Sequence, residues 1–306
     1  VEQTRPRTIR LSDLIDDGFA EAAAAHEAYR TGQARGPLIP LSQKLEREIG
    51  GFLPVGVTVL NGPPGSAKTA LANQIAGECG APSLVVTCEI SPLDLLRRHA
   101  ARVTGTFLGK FRSGEISPTE WLTLMRRTVA TMPQVAILDG TLGPVTIDDI
   151  REAAEATAAR SSAKPLVVID SLNSWVRGSG AIDGRATEYE GVNAALSALL
   201  RLAADLSAAI VIVAEQNRAS MGSDRQESSA GSRVFEYCAE SVISLYRDPA
   251  TVPDADGEIP IFATIAKNRH GSAGAKVDLR FSGRFMRFRD FEVSGVSSLD
   301  SRRGRK

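Results

Sequence analysis

Apolar runs recur along the chain, and their spacing assigns most of the secondary structure. Residues 57–60 (VTVL), 83–88 (SLVVTC), 135–138 (VAIL), 166–169 (LVVI) and 209–214 (AIVIVA) are apolar, β-branched-rich stretches that read as buried strands. Between them, apolar positions at helical spacing predict helices. One starts at Lys68, with Leu71, Ile75 and Ala76 on one face; others cover 92–103, 118–132 and 147–160. A long one covers 187–208, with Val192, Leu196, Leu199, Leu200 and Leu206 in register. Strands that are apolar throughout and alternate with helices predict an α/β fold with a mostly parallel central sheet covered on both faces. From Ala239 the texture changes. Segments 241–246, 260–266, 275–281 and 284–288 are strand-like with short turns, which predicts C-terminal antiparallel strands extending the sheet. Residues 173–189 and 217–231 read as polar, Gly- and Arg-containing loops.

The N-terminal stretch stands apart. Ser12 is placed to cap a helix running to about Arg30, with Leu14, Ile15, Phe19 and Ala22 at helical spacing. Residues 31–40 hold two glycines and two prolines and read as a linker, and 41–53 lead into the first strand through Gly50 and Gly51. The expected organisation is an arm with its linker (1–36), a main α/β domain (37–292) and a basic flexible tail (293–306) carrying Arg302, Arg303, Arg305 and Lys306.

Composition narrows the class. The 306 residues include 36 acidic and 36 basic ones, so no global field attracts nucleic acid and any such site must be local. Cys79, Cys88 and Cys238 show no paired spacing, which fits a reducing cytoplasm and excludes a zinc site. His26 and His99 read as ordinary helix positions. No apolar run approaches the ~18 residues of a membrane span, and the first residues lack the apolar core of a signal peptide.

The chemistry is concentrated at residues 57–76. A strand, then Gly62, Pro63, Pro64, Gly65, Ser66 and Ala67, then Lys68 and Thr69 opening a helix, make a phosphate-binding loop. Small residues let backbone N–H groups close on phosphates, and the helix N-terminus adds positive potential. Lys68 would reach the β- and γ-phosphates of ATP, and Thr69 would ligate Mg²⁺. The strict pattern has glycine where Ala67 stands. Ligands of open α/β sheets sit beyond the carboxyl ends of the strands, where Glu89, Asp170 and Gln216 fall. Asp170 is suited to the Mg²⁺ shell and Glu89 to general base; Gln216 would sense the γ-phosphate or the attacking water. Arg218 and Arg225 in one loop, and Arg177 and Arg185 in the other, suit a phosphate backbone; Trp175 reads as a packed aromatic. Lys267 and Arg269, on one side of an extended segment, suit a phosphate held by a neighbouring subunit.

GPPGSAKT, TCEIS with Glu89, VVIDS with Asp170, AEQNR with Gln216 and AKNRHG with Lys267 and Arg269 stand in one order. In this the chain resembles the RecA-like motor domain of DnaB-type helicases, including the RadA (Sms) branch. AEQNR and SLYRD look like DnaB; AGSRVFEYCAESV and KNRHG look like RadA, with His270 where that branch has Phe. The resemblance covers residues 36–292. It implies a Mg²⁺- and ATP-dependent helicase or translocase in the cytoplasm, a ring-shaped hexamer on single-stranded DNA with ATP at subunit interfaces, and a replication or recombination protein as partner. In that family a linker helix docks on the adjacent subunit, and residues 13–30 occupy its place. The rival expectation is a KaiC-like, ATP-switched oligomeric scaffold that binds a protein without unwinding DNA.

Overall fold

The computed structural model describes residues 8, 10–159, 161–178, 187–215, 235 and 237–291. The chain divides into two compact units, Val1–Arg35 and Gly36–Lys306. In the first, a 3-10 turn, Leu11–Leu14, precedes helix α1, Ile15–Thr31, which Gly32 ends in the left-handed conformation. The expected Ser12 cap is not made. Ser12 gives its hydroxyl to Asp13, and Leu14 stands at the N-cap. No residue of α1 is buried, and Phe19 is 75% exposed. A helix in that state draws no stability from packing.

The second unit is built on a sheet. Strands β1 (Gly56–Asn61), β2 (Ser83–Thr87), β3 (Val135–Asp139), β4 (Leu166–Asp170), β5 (Ala209–Val213) and β6 (Ser241–Tyr246) pair in parallel. Strands β7 (Glu258–Asn268), β8 (Lys276–Ser282) and β9 (Arg287–Asp290) continue antiparallel, in the order β3-β2-β4-β5-β1-β6-β7-β8-β9. Segment 241–246 was expected among the antiparallel strands; it lies parallel to β1, and the change of direction comes one strand later. Residues 284–288 were expected as a strand, but 283–286 form a turn with Met286 at φ 51°, and β9 starts at Arg287.

Both faces of the central strands β4 and β5 are covered, which is why they are near-continuous aliphatic runs. Leu166, Val168, Val211 and Val213 face the cluster that includes helices α2 (Gln43–Glu48) and α3 (Lys68–Glu78). Val167, Ile169, Ile210 and Ile212 face α7 (Ile147–Ala158), α8 (Leu172–Gly178) and α9 (Glu188–Leu206). Helix α8 corrects the expectation of a loop over 173–189. Leu172, Trp175 and Val176 are buried, and Trp175 Nε1–H donates to the Val145 carbonyl at 2.8 Å, so the tryptophan is a packed aromatic. A third small cluster joins α4 (Pro92–Thr104), α5 (Lys110–Ser113) and α6 (Pro118–Thr131). Helix starts follow local chemistry: Ser91 and Ser117 cap α4 and α6 ahead of a proline, and Thr146–Asp149 and Thr187–Glu190 are capping boxes.

Helix α3, which follows the loop at 62–67, is fixed from two sides. The buried Gln74 amide accepts from Phe288 N–H at 2.6 Å and donates to the Phe288 carbonyl at 3.1 Å, tying the helix to β9. On its other side Gly77 admits α4: a Cβ there would stand 2.5 Å from the Arg102 guanidinium and 2.6 Å from Met132 sulfur.

Arg102 itself pairs with Glu78 at 2.8 Å and donates to His99 Nδ1 at 2.8 Å. Arginine has no acceptor, so Nδ1 is the bare nitrogen and Nε2 carries the proton, buried and without a partner among the described residues. Burial and then Arg102 push the His99 pKa down to about 3. The sign follows. An unfolded histidine binds a proton below about 6.5, the folded one does not, so stability is held above that pH and lost as pH falls toward 3. The slope approaches ~1.4 kcal/mol per pH unit. His99→Asn keeps an acceptor and cannot titrate. Between pH 6.5 and 4.5 the wild type should lose roughly 2 kcal/mol more than this variant in urea unfolding. A pH-independent difference between the two would show that His99 is not buried neutral.

Candidate functional site

β1 ends at Asn61 and the chain turns through 62–67 into α3. Gly62, at φ 149°, lies against β6, where a Cβ would collide with the Leu245 carbonyl oxygen. Only glycine passes there. Buried Ser66 closes the turn by donating to the Pro63 carbonyl at 2.9 Å. Ala67 sits at φ 64°, ψ 26°. That left-handed conformation costs an L-residue roughly 1–2 kcal/mol, which is the physical reason the strict pattern has glycine at this place. The loop takes the same turn with alanine.

Lys68 folds back over the loop, its Nζ donating to the Gly62 and Pro63 carbonyls at 2.8 and 2.9 Å. Burial lowers its pKa, against the fields of Glu215, Asp170 and Glu89. Thr69 Oγ1 donates to Asp170 Oδ1 at 3.0 Å, and Asn73 Nδ2 stands 3.5 Å from Oδ2. Asp170 closes β4 and is buried, which raises its pKa to about 6; the Thr69 hydrogen bond opposes that rise, Glu89 adds to it and Arg98 opposes it.

Glu89 lies just past β2. The register pairs Thr87 with Asp170, and Cys88 N–H donates to the Asp170 carbonyl at 2.9 Å, so the two strand tips stand side by side. The Glu89 side chain is exposed, and its Oε1 accepts from Ser171 Oγ at 2.5 Å and Ser174 Oγ at 2.6 Å. The Cys88 thiol registers the local field. Burial, then Asp170, Glu89 and Asp139, push it up to about 11.

A buried lysine, a threonine hydroxyl and several carboxylates therefore meet beyond the carboxyl ends of β1, β2, β4 and β5. An oligophosphate entering this acidic field needs a compensating divalent cation. Thr69 and Asp170 supply hard oxygen donors that suit Mg²⁺. Among the described residues no three His, Cys, Asp or Glu side chains are gathered to hold a metal by themselves, so the remaining ligands would be phosphate oxygens and water.

The basic tip lies elsewhere. Lys267 pairs with Val242 inside β7, and Arg269 follows the strand. Arg269 N–H donates to the Glu240 carbonyl, and Glu240 N–H to the Val57 carbonyl, at the amino end of β1. The phosphate-loop glycines are at its carboxyl end. Six strand residues separate the two ends, roughly 17–20 Å, so Arg269 cannot serve its own loop. Its guanidinium rests on Glu240 Oε1 at 3.1 Å and the Tyr237 carbonyl at 2.9 Å. His270, which stands where RadA has Phe, uses its Nε2 for Glu240 Oε2 at 3.0 Å.

Arg177 is exposed at the end of α8. Gln216, Arg185, Arg218 and Arg225 lie outside the described residues. Six contributors were not foreseen: Glu215, Asn73, Arg98, Ser171, Ser174 and Glu240. Glu215 was legible in principle, since it sits at the same strand end as Gln216. The others depend on contacts between distant segments.

Comparison with known proteins agrees with this architecture. The family profile for the DnaB-like helicase C-terminal domain matches residues 41–290. The replicative DNA helicase DnaB of Nostoc sp. (strain PCC 7120 / SAG 25.82 / UTEX 2576) is 27% identical over 226 residues, which are 71% of this chain and 24% of that protein. The chain thus spans about a quarter of that relative's length. Two solved structures superpose with a TM-score of 0.70 each: the ATPase domain of G40P, at 17% identity over 91% of this chain and 99% of that one, and a DnaB-like replicative helicase described with its interactions with primase, at 16% identity over 92% and 69%. The profile match, which spans the whole sheet, places the chain in the family of DnaB-like helicase C-terminal domains.

Proposed function

We propose that this chain is an ATP-hydrolysing motor that works on single-stranded DNA as a ring-shaped oligomer, a hexamer, with ATP at subunit interfaces. The observation that carries this reading is the division of the site. Lys68, Thr69, Asp170 and Glu89 converge at one edge of the sheet, while Arg269 stands at the other end of β1. A head-to-tail neighbour brings the second edge to the first, and repetition of that contact closes a ring.

In this reading the N–H groups of residues 62–69 and the Lys68 ammonium hold the β- and γ-phosphates, Lys68 exchanging its two loop carbonyls for phosphate oxygens. Thr69 and Asp170 hold Mg²⁺, which neutralises phosphate charge when bound. Glu89 takes a proton from a water as the water oxygen bonds to the γ-phosphorus. The bond from that phosphorus to the bridging oxygen breaks, and its electron pair leaves with ADP. Arg269 and Lys267 of one subunit steady the γ-phosphate of the next, with Gln216 coupling hydrolysis to the loop beyond it. Arg177, Arg185, Arg218 and Arg225 contact the DNA backbone, and α1 docks on the adjacent subunit through Leu14, Ile15, Phe19 and Ala22. A replication or recombination protein is the partner, in the cytoplasm.

The test is ATP turnover with and without single-stranded DNA. A severalfold stimulation that fades as salt rises is the expected result, because phosphate contacts release counterions. No DNA binding at low salt would overturn the motor and leave the KaiC-like scaffold.

Arg269 gives a separate prediction. Arg269→Ala subunits should bind nucleotide and fail to turn it over, and mixing them with Lys68→Ala subunits should restore part of the rate. A mixed interface pairs an intact loop with an intact arginine. Titrating the ratio checks this, and absence of rescue at every ratio would exclude action across the interface.

A further inference from the structure

We infer that Ser171 and Ser174 are positioning residues for Glu89, fixing its carboxylate so that Oε2 alone faces the water to be deprotonated. The inference rests on the reading of Glu89 as general base. Glu89 is exposed and reaches out from a strand tip, so nothing in its own segment sets the plane of its carboxylate. The two serines do. Each hydroxyl has one proton, and both lie at hydrogen-bond distance from the same oxygen, at 2.5 and 2.6 Å. The hydroxyl oxygens are 3.2 Å apart, and Ser174 N–H points to Ser171 Oγ at 3.4 Å, so the pair forms one unit at the start of α8.

That unit has a rigid base. Ser171 is buried and follows Asp170 at the end of β4, while Leu172, Trp175 and Val176 anchor α8 in the core. Two donors occupy the two lone pairs of Oε1. Among the described residues Oε2 accepts no hydrogen bond, so it is the oxygen left to take the proton. The water oxygen then bonds to the γ-phosphorus, the bridging P–O bond breaks toward ADP, and the proton on Oε2 passes to solvent. An exposed carboxylate free to rotate would present Oε2 in the productive direction only part of the time. A displacement of ~1 Å at a reacting group can cost on the order of 10²-fold in rate.

Helix α8 is held by the burial of Leu172, Trp175 and Val176. Its sequence, LNSWVRG, is a poor helix former, yet it places a hydroxyl one turn from Ser171 and over the Glu89 tip.

The experiment uses the full chain with MgATP. It compares wild type, Ser174→Ala, Ser174→Thr, Ser171→Ala, Glu89→Gln and the double variant Glu89→Gln/Ser174→Ala. Single-turnover rates are measured alongside affinity for a non-hydrolysable ATP analogue. The serine-to-alanine changes should lower the rate about tenfold and leave analogue affinity within about twofold. Ser174→Thr keeps the hydroxyl and should stay within about twofold of wild type. In the Glu89→Gln background, Ser174→Ala should add no further loss, because the serine acts only through that carboxylate. Ser171 is buried, so a misfolded Ser171→Ala protein leaves the decision to the half-buried Ser174. Wild-type rates in Ser174→Ala, a parallel loss of affinity, or an equal loss in both backgrounds would each overturn the inference. A Glu89→Gln protein with wild-type turnover would instead bring down the base assignment itself.

Discussion

Lys68→Ala should lose ATP turnover by at least roughly 10²–10³-fold, the scale of removing one preorganised donor to developing charge. Nucleotide affinity should fall by tenfold or more, about 1.4 kcal/mol. The size of the effect follows from what remains. Lys68 is the one side-chain cation within residues 62–69, and Glu215, Asp170 and Glu89 all act on it. Without it, those carboxylates meet the triphosphate with backbone N–H groups alone to oppose them. The fold should survive. The Gly62 and Pro63 carbonyls that Lys68 now engages are loop groups that water can reach once the side chain is shortened, and removing a buried ammonium relieves its desolvation. Circular dichroism establishes the fold, and single-turnover hydrolysis with analogue binding establishes the defect. Wild-type turnover in a folded Lys68→Ala protein would remove the nucleotide site from residues 62–69.

The parallel sheet was legible because its signal is local and doubled. Strands buried on both faces must be apolar at every position, and those runs survive any tertiary context. The phosphate loop was legible because geometry restricts its residues, as the Gly62 approach to Leu245 demonstrates. The failures have physical causes. Segment 241–246 is short and interrupted by Ser241 and Ser244, so its sequence marks a strand but not its direction; direction is decided by pairing with β1. Residues 284–288 are rich in Phe and Met, as a strand can be, but the chain spends 283–286 on the turn that brings Phe288 to Gln74. Helix α8 was hidden because Asn173, Ser174 and Gly178 are turn-prone, and burial of Trp175 and Val176 overrides them. Within the site, Asp170 and Glu89 announced themselves as polar ends of apolar strands. Arg98 and Glu240 did not, since each is one charged residue among many, until the fold brings Arg98 into the field of Asp170 and Glu240 under Arg269.

Glu89→Gln should bind ATP as the wild type does and hydrolyse it roughly 10²–10⁴-fold more slowly, the range for loss of a general base. The two effects separate because the amide keeps half of what the carboxylate provides. Its oxygen can still accept from Ser171 and Ser174, so the side chain holds its place over α8. Its nitrogen replaces Oε2 and cannot take a proton. Binding should hold, or tighten slightly, because one negative charge is gone from the field that also contains Asp170, Asp139 and Glu215. Glu89→Ala would not make the same distinction, since it removes both the base and the serines' acceptor. Rapid-quench single turnover gives the chemical rate, and equilibrium binding of ATP to the slowed variant gives the affinity. Lost affinity with unchanged turnover per bound ATP would make Glu89 a binding residue. A slow, saturable variant with wild-type affinity assigns it to the chemical step, because the substitution takes from Oε2 the capacity to accept a proton while the hydrogen bonds of the other oxygen stay in place.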